Sequence, residues 1–296
     1  MKNVDDHWRI AATRKLLKAR ISWLLIGCWT LLLGTVMLVQ AGDPSYRLVK
    51  GTWEQGSLLI GETTPGSAVV FDGRKLLVSP EGLFVFGLDR DAKSPVLLTI
   101  TAPGGKPIVE SHTVAKRKWD TQPLTGIAPK YVDPPQEVQD RIAAEQKIIN
   151  AARRRDTAIS DFATPFVWPA TGRISGIFGS QRILNGKPKS PHYGVDVAVP
   201  TGTPITAPAG GVISLAEPDL YFTGGTVFID HGHGLQSVMV HLSRLDVKVG
   251  DRVEQGQPVA LSGATGRVTG PHLHWGLYWF GEKVDAQKHT GAMPVR

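Results

Sequence analysis

Cysteine is almost missing from the 296 residues: Cys28 stands alone, so no intramolecular disulfide and no cysteine-built metal site can form. Any metal in this protein has to be held by histidine and carboxylate. Also missing is a basic stripe studded with aromatics, so no nucleic-acid partner is expected. No internal repeat or low-complexity tract is found. Charge of one sign is only mildly in excess. The formal net charge is +7, but residues 1–20 carry Lys2, Arg9, Arg14, Lys15, Lys18 and Arg20 against Asp5 and Asp6, and so supply +4 of it. The slight basic balance that remains suits contact with anionic polymers and equally fits an ordinary surface. Hydrophobic residues make up 42%, which supports buried cores and argues against wholesale disorder.

Charge vanishes altogether from Ile21 to Val39, nineteen residues long. At 1.5 Å rise per residue, about 20 apolar residues cross a bilayer core. The basic tail 1–20 stays cytoplasmic on this reading, and the chain after Ala41 lies outside the inner membrane. Residues 21–41 then read as a retained anchor or as a signal peptide cleaved after Val39-Gln40-Ala41. Secretory apolar segments run to only about 7–15 residues, which favours the anchor. Leu25-Ile26-Gly27-Cys28 resembles a lipobox, but the apolar run continues well past Cys28. Either way the chain is bound for the cell envelope, inner-membrane anchored through 21–39 or released to the periplasm.

Residues 44–115 read as a small β-sandwich. Short apolar runs (Ser57–Ile60, Ala68–Phe71, Leu76–Val78, Leu83–Phe86, Val96–Ile100) alternate with turn signals such as Thr64-Pro65-Gly66 and Asp72-Gly73. A linker follows at 116–164. Its pattern turns helical over 136–160, after Pro134-Pro135 and before Pro165. Arg153-Arg154-Arg155 reads as the solvated face of that helix. Residues 165–290 are punctuated by glycine and proline between strand-like stretches, among them Val195–Val199, Gly211–Leu215, Thr226–Asp230, Gln236–His241 and Leu273–Trp279. The fold class expected is mainly β, with an antiparallel C-terminal domain whose loops surround a groove.

Seven of the nine histidines fall after residue 190. His192 and Asp196 flank Tyr193-Gly194-Val195 on a loop entering a strand. His272 and His274 are spaced i, i+2, so on a strand both imidazoles face one side. His241 ends the apolar run Val238–Val240. A hydrolytic zinc needs three protein ligands and one open position. His192, Asp196 and one histidine of the 272/274 pair complete such a set, leaving the other and His241 for proton transfer and oxyanion stabilisation. His231-Gly232-His233-Gly234 also fits His-x-His, but its glycines mark a hairpin turn. His7, His112 and His289 have no partner nearby in sequence.

His-Tyr-Gly-Val-Asp196, the stretch Pro200-Thr-Gly-Thr-Pro-Ile-Thr-Ala-Pro-Ala-Gly-Gly-Val-Ile213, His241-Leu242-Ser243 and Ser262-Gly-Ala-Thr-Gly-Arg-Val-Thr-Gly-Pro-His-Leu-His274 together resemble the LytM/lysostaphin-type metallopeptidases over about residues 165–285. The resemblance implies a zinc endopeptidase acting on peptidoglycan cross-links, with one Zn²⁺ per chain held by His192, Asp196 and His274. It implies His241 and His272 as the catalytic histidines. Met239 departs from the family, which usually has tyrosine there. The 44–115 region and Phe178-Gly-Ser-Gln-Arg-Ile-Leu-Asn-Gly186 look like Gram-negative members with an N-terminal accessory domain. The rival expectation is a catalytically silent regulator that activates another wall hydrolase, and a third is a wall-binding module. Intact ligand positions favour the enzyme.

Overall fold

In Leu273–Trp279 large apolar residues recur at every second position, and Leu273, Trp275 and Leu277 are all fully buried. That period of two is what a strand with one face on a core requires. Val195 and Val197 do the same in Val195–Ala198. These strands belong to a ten-stranded sheet in a computed structural model that describes residues 45–294. Its main path runs Arg252–Val253, Gly211–Leu220, Gly224–Gly232, Leu235–Leu245, Leu273–Trp279, Val195–Ala198 and Arg173–Gly176. Every pairing along that path is antiparallel. Three further strands lie off the path: Pro204–Thr206 and Pro258–Ser262 pair with each other, the second also hydrogen-bonds the end of Leu235–Leu245, and Glu282–Val284 pairs with Leu273–Trp279. The antiparallel expectation for this half of the chain holds.

The N-terminal half builds two smaller sheets. One pairs Arg47–Lys50, Leu58–Glu62 and Leu83–Gly87; the other pairs Arg74–Leu76, Ala68–Phe71, Val96–Thr101 and Ile108–His112. Phe71 of one sheet meets Phe86 of the other with ring centroids 4.5 Å apart. The described residues form one compact unit with a shared core. Phe71 also reaches Trp279 at 6.0 Å, and Arg117 donates to Asp285 at 2.9 Å.

The linker differs from expectation in a way that matters for the site. Its helix spans Gln139–Arg153 behind a 3₁₀ turn, Gln136–Val138, and does not run on to residue 160. Beyond Arg153 the backbone is used elsewhere: the Thr157 carbonyl accepts from the His233 amide, and the Thr157 hydroxyl donates to Asp230 at 2.9 Å. Nor is the arginine triplet wholly solvated. Arg153 stacks on Tyr278 at 4.9 Å and Arg155 pairs with Asp230 at 3.6 Å. Ahead of the helix, Thr121–Leu124 lies parallel to Gln181–Leu184, which itself turns back at Asn185-Gly186. Among the described residues no helix is long and apolar enough to cross a membrane. The apolar run 21–39, with Cys28, lies outside them.

Candidate metal centre and catalytic histidines

Sheet register does most of the assembly. Asp196 sits opposite His274 on one side and Gly176 on the other, while Val240, the residue before His241, also faces His274. Directly opposed residues have Cβ atoms only about 4.5–5.5 Å apart, so register alone brings Asp196 and His274 together, while His192 comes from the loop ahead of Val195–Ala198 and His241 from a bend in the strand after Val240. Fully buried Leu273 and Trp275 hold His274 from either side. Truncating Trp275 to alanine would cost about 3–5 kcal/mol and loosen that strand.

The three donor atoms converge. His192 Nε2 lies 2.9 Å from Asp196 Oδ1 and 2.9 Å from His274 Nδ1, and His274 Nδ1 lies 2.7 Å from the same carboxylate oxygen. His192, Asp196 and His274 are the group of metal-binding type found among the described residues. His192 donates from Nδ1 to the Ile177 carbonyl at 3.0 Å, which leaves Nε2 with its lone pair aimed at the cluster. Fixing a ligand's tautomer by its other nitrogen is the usual support of a metal-binding imidazole. Burial would raise the Asp196 carboxyl, but His192 and His274 hold it well below the usual carboxylate range. Burial lowers His274 to about 4 against the pull of Asp196. An ionised carboxylate with neutral imidazoles is the donor set that a borderline-soft divalent ion takes.

His241 and His272 stand beside this group. Their rings are 4.9 Å apart, and His272 Nε2 is 3.7 Å from Asp196 Oδ1. His241 donates from Nδ1 to the Thr265 carbonyl and His272 to the Gly270 carbonyl, each at 2.8 Å. Both Nε2 atoms are thereby left as acceptors. His241 is buried and is pushed well below the ordinary histidine range by that burial and by His272 and His274. Its backbone has φ +66°, in the left-handed region that non-glycine residues avoid. There the strand Leu235–Leu245 leaves Leu273–Trp279 and turns to pair with Pro258–Ser262.

All five residues singled out from sequence therefore meet. The His231/His233 pair forms the expected hairpin turn, with His231 bonded to Gly210 and Ser237 away from the cluster. Met239 is fully buried opposite Val227 and Trp275, so its side chain fills the core.

Two arginines to which the sequence motifs assign no role also reach the site. Arg182 donates from Nη2 to Asp196 Oδ2 at 2.9 Å, engaging the oxygen that the histidines leave. Arg267 lines the same cavity of about 100 Å³, together with Ser175, His241 and His272. Gln122, Leu124 and Ile127 of the linker form its opposite wall. Asn185 pins that wall through both backbone groups of Ile127, and Leu184, Ile127 and Val132 pack together beneath it. Nothing in the residue types alone signals these long-range contacts. Glycine is required where the chain crowds the cluster: a Cβ at Gly194 would lie 2.6 Å from both His274 Nε2 and the Trp275 carbonyl oxygen.

Known proteins resemble this chain in sequence and in fold. Residues 190–286 match Peptidase family M23. Over 117 residues the chain is 43% identical to the peptidoglycan DD-endopeptidase ShyA of Vibrio cholerae, covering 39% of this chain and 27% of that protein. Over 85 residues it is 42% identical to the glycyl-glycine endopeptidase ALE-1 of Staphylococcus capitis, covering 28% and 24%. The chain spans about a quarter of the length of the curated relatives it matches. A crystal structure described as a peptidase M23 from Pseudomonas aeruginosa superimposes with a TM-score of 0.64 at 32% identity, over 82% of this chain and 96% of that one. With both halves of the described chain accounted for by that likeness, the chain belongs to peptidase family M23.

Proposed function

We propose that this protein is a zinc-dependent endopeptidase that hydrolyses peptide cross-links of bacterial peptidoglycan. The observation that carries the reading is the His192–Asp196–His274 cluster with two further imidazoles beside it, both presenting Nε2. The names of the relatives, ShyA and ALE-1 among them, support the substrate class.

His192, Asp196 and His274 would hold one zinc ion. Its contribution is Lewis acidity, which polarises a carbonyl and makes water easier to deprotonate. The chain's own residues do the proton work. Burial keeps His241 neutral and hence ready to accept a proton at neutral pH. His272, at the mouth of the same cavity, faces it. One imidazole takes the proton of the attacking water at Nε2 and returns it to the departing amine, while the other steadies the developing oxyanion in its doubly protonated form, with Nε2–H as the donor. Arg182 holds Asp196 Oδ2, so Oδ1 alone faces the cluster.

The 44–115 region is read as a β-sandwich accessory domain, 116–164 as the linker and 165–290 as the peptidase domain. Residues 21–39 anchor the chain in the inner membrane, or are removed after Ala41, with the catalytic part in the periplasm. Protease accessibility in spheroplasts checks that orientation.

Full-length protein in mild detergent, incubated with purified sacculi, is expected to deplete cross-linked muropeptide dimers, and a chelator is expected to stop it. His274→Ala should lose metal and activity together. His241→Ala should keep its metal and lose about 10²–10⁴-fold in turnover. Dimers that persist with wild type, or a His241→Ala protein that cleaves at the normal rate, would sink the reading.

A further inference from the structure

The cavity beside the histidines holds more positive charge than its own residues answer. Asp196 is the sole carboxylate on its lining, and that group is already taken by His192, His274 and Arg182. Arg267 has no ion pair among the described residues. It touches the Tyr131 carbonyl at 3.5 Å and the face of Phe222 at 4.9 Å. Burial lowers its pKa, and the charged neighbour that adds to this shift is another cation, Arg182. Arg182 in turn keeps its Nε buried with no partner. A buried guanidinium with idle donors is costly unless an anion answers it, and a planar carboxylate is the group that such a fork fits.

We infer that this cavity is a carboxylate subsite, in which Arg267 receives the carboxylate next to the scissile amide of the substrate, with the charge of Arg182 beside it. The inference rests on the endopeptidase reading and narrows it. A cross-link made to diaminopimelate leaves a free carboxylate on the carbon that bears the scissile nitrogen. A glycine bridge offers no carboxylate at that place. Arg267 is thus a specificity residue that favours the first kind of bond over the second.

The test uses full-length protein and two synthetic cross-linked peptides, one with that carboxylate free and one with it amidated. Amidation should lower kcat/KM about tenfold to a hundredfold for wild type, the range of a charge-assisted hydrogen bond. Arg267→Met should lose the same factor on the free acid and nothing on the amide, while Arg267→Lys keeps part of the preference. Equal wild-type rates on both peptides, or an Arg267→Met protein that loses equally on both, would overturn the subsite. Should wild type cut neither peptide, the endopeptidase reading fails by itself, and binding decides the subsite. Metal-free protein labelled with ¹⁵N-arginine is then titrated with N-acetyl-D-alanine and with its amide. A shift of the Arg267 Nε–H resonance with the acid alone supports the subsite, and no shift rejects it.

Discussion

Replacing His289 with leucine should leave stability nearly unchanged at pH 7.5 and raise it markedly in acid. His289 lies in the short helix Ala286–Thr290, is 6% exposed, and meets Phe166 edge-on at 5.0 Å. Neither ring nitrogen has a hydrogen-bond partner. Burial, then the charges of Lys50 and His231, push its pKa down to about 3. Unfolded, the same imidazole titrates near 6.5. The folded value is the lower one, so as pH falls the unfolded chain is protonated first. The stability contributed by a neutral His289 is whole above about pH 6.5 and is lost as pH drops towards 3. Two pH units at about 1.4 kcal/mol each amount to about 3 kcal/mol by pH 4.5. For a unit of this size that corresponds to a Tm difference of about 6–12 °C between His289→Leu and wild type at pH 4.5. Near pH 7.5 the swap is one of similar volume and should stay within about 1.5 kcal/mol. His231 and His233, each lowered to about 4 chiefly by burial, destabilise both proteins in acid, and only the part of His231 that acts on His289 enters the difference. Thermal unfolding of the two proteins at both pH values measures it. A gap between variant and wild type that is the same at pH 7.5 and 4.5 would refute the reasoning.

Two further outcomes follow from contacts at the cluster. Gly194→Ala places a methyl 2.6 Å from His274 Nε2 and from a backbone oxygen that cannot step aside. Overpacking of about 1–3 kcal/mol should weaken zinc at least about fivefold in a chelator competition, and unchanged affinity would contradict the packing argument. Arg182→Met should weaken zinc about tenfold to a hundredfold in the same assay, with Arg182→Lys intermediate. Wild-type affinity in the methionine variant would mean that Arg182 does not position Asp196.

How much of this was legible beforehand depended on the range of the interactions. Apolar runs and strand-like stretches between turn signals located Ala68–Phe71 and Leu273–Trp279 to the residue, and the i, i+2 spacing of His272 and His274 correctly implied one shared face. Val195–Ala198 and Leu235–Leu245 were found with shifted ends, because strand ends are set by pairing partners. Leu76–Val78 was expected as a strand where Arg74–Leu76 forms instead. The tight turn at Asp72-Gly73 fixes the hairpin register and starts the return strand early. Thr121–Leu124 and Gln181–Leu184 went unseen, since Pro123 and scattered polar residues hide any alternation and the pairing between them spans the whole linker helix. Arg182 and Arg267 were invisible for the same reason: an arginine's role depends on which distant carboxylate, ring or cavity it meets.

The bend at His241 sets two demands on one residue against each other. Left-handed backbone at a residue with a Cβ costs about 1–3 kcal/mol, and glycine would relieve it. A population of variants selected only for heat resistance should therefore drift towards glycine at position 241 and emerge sturdier and inert. The turn that swings this imidazole over the cavity is a place where the protein keeps its chemistry by remaining less stable than its fold allows.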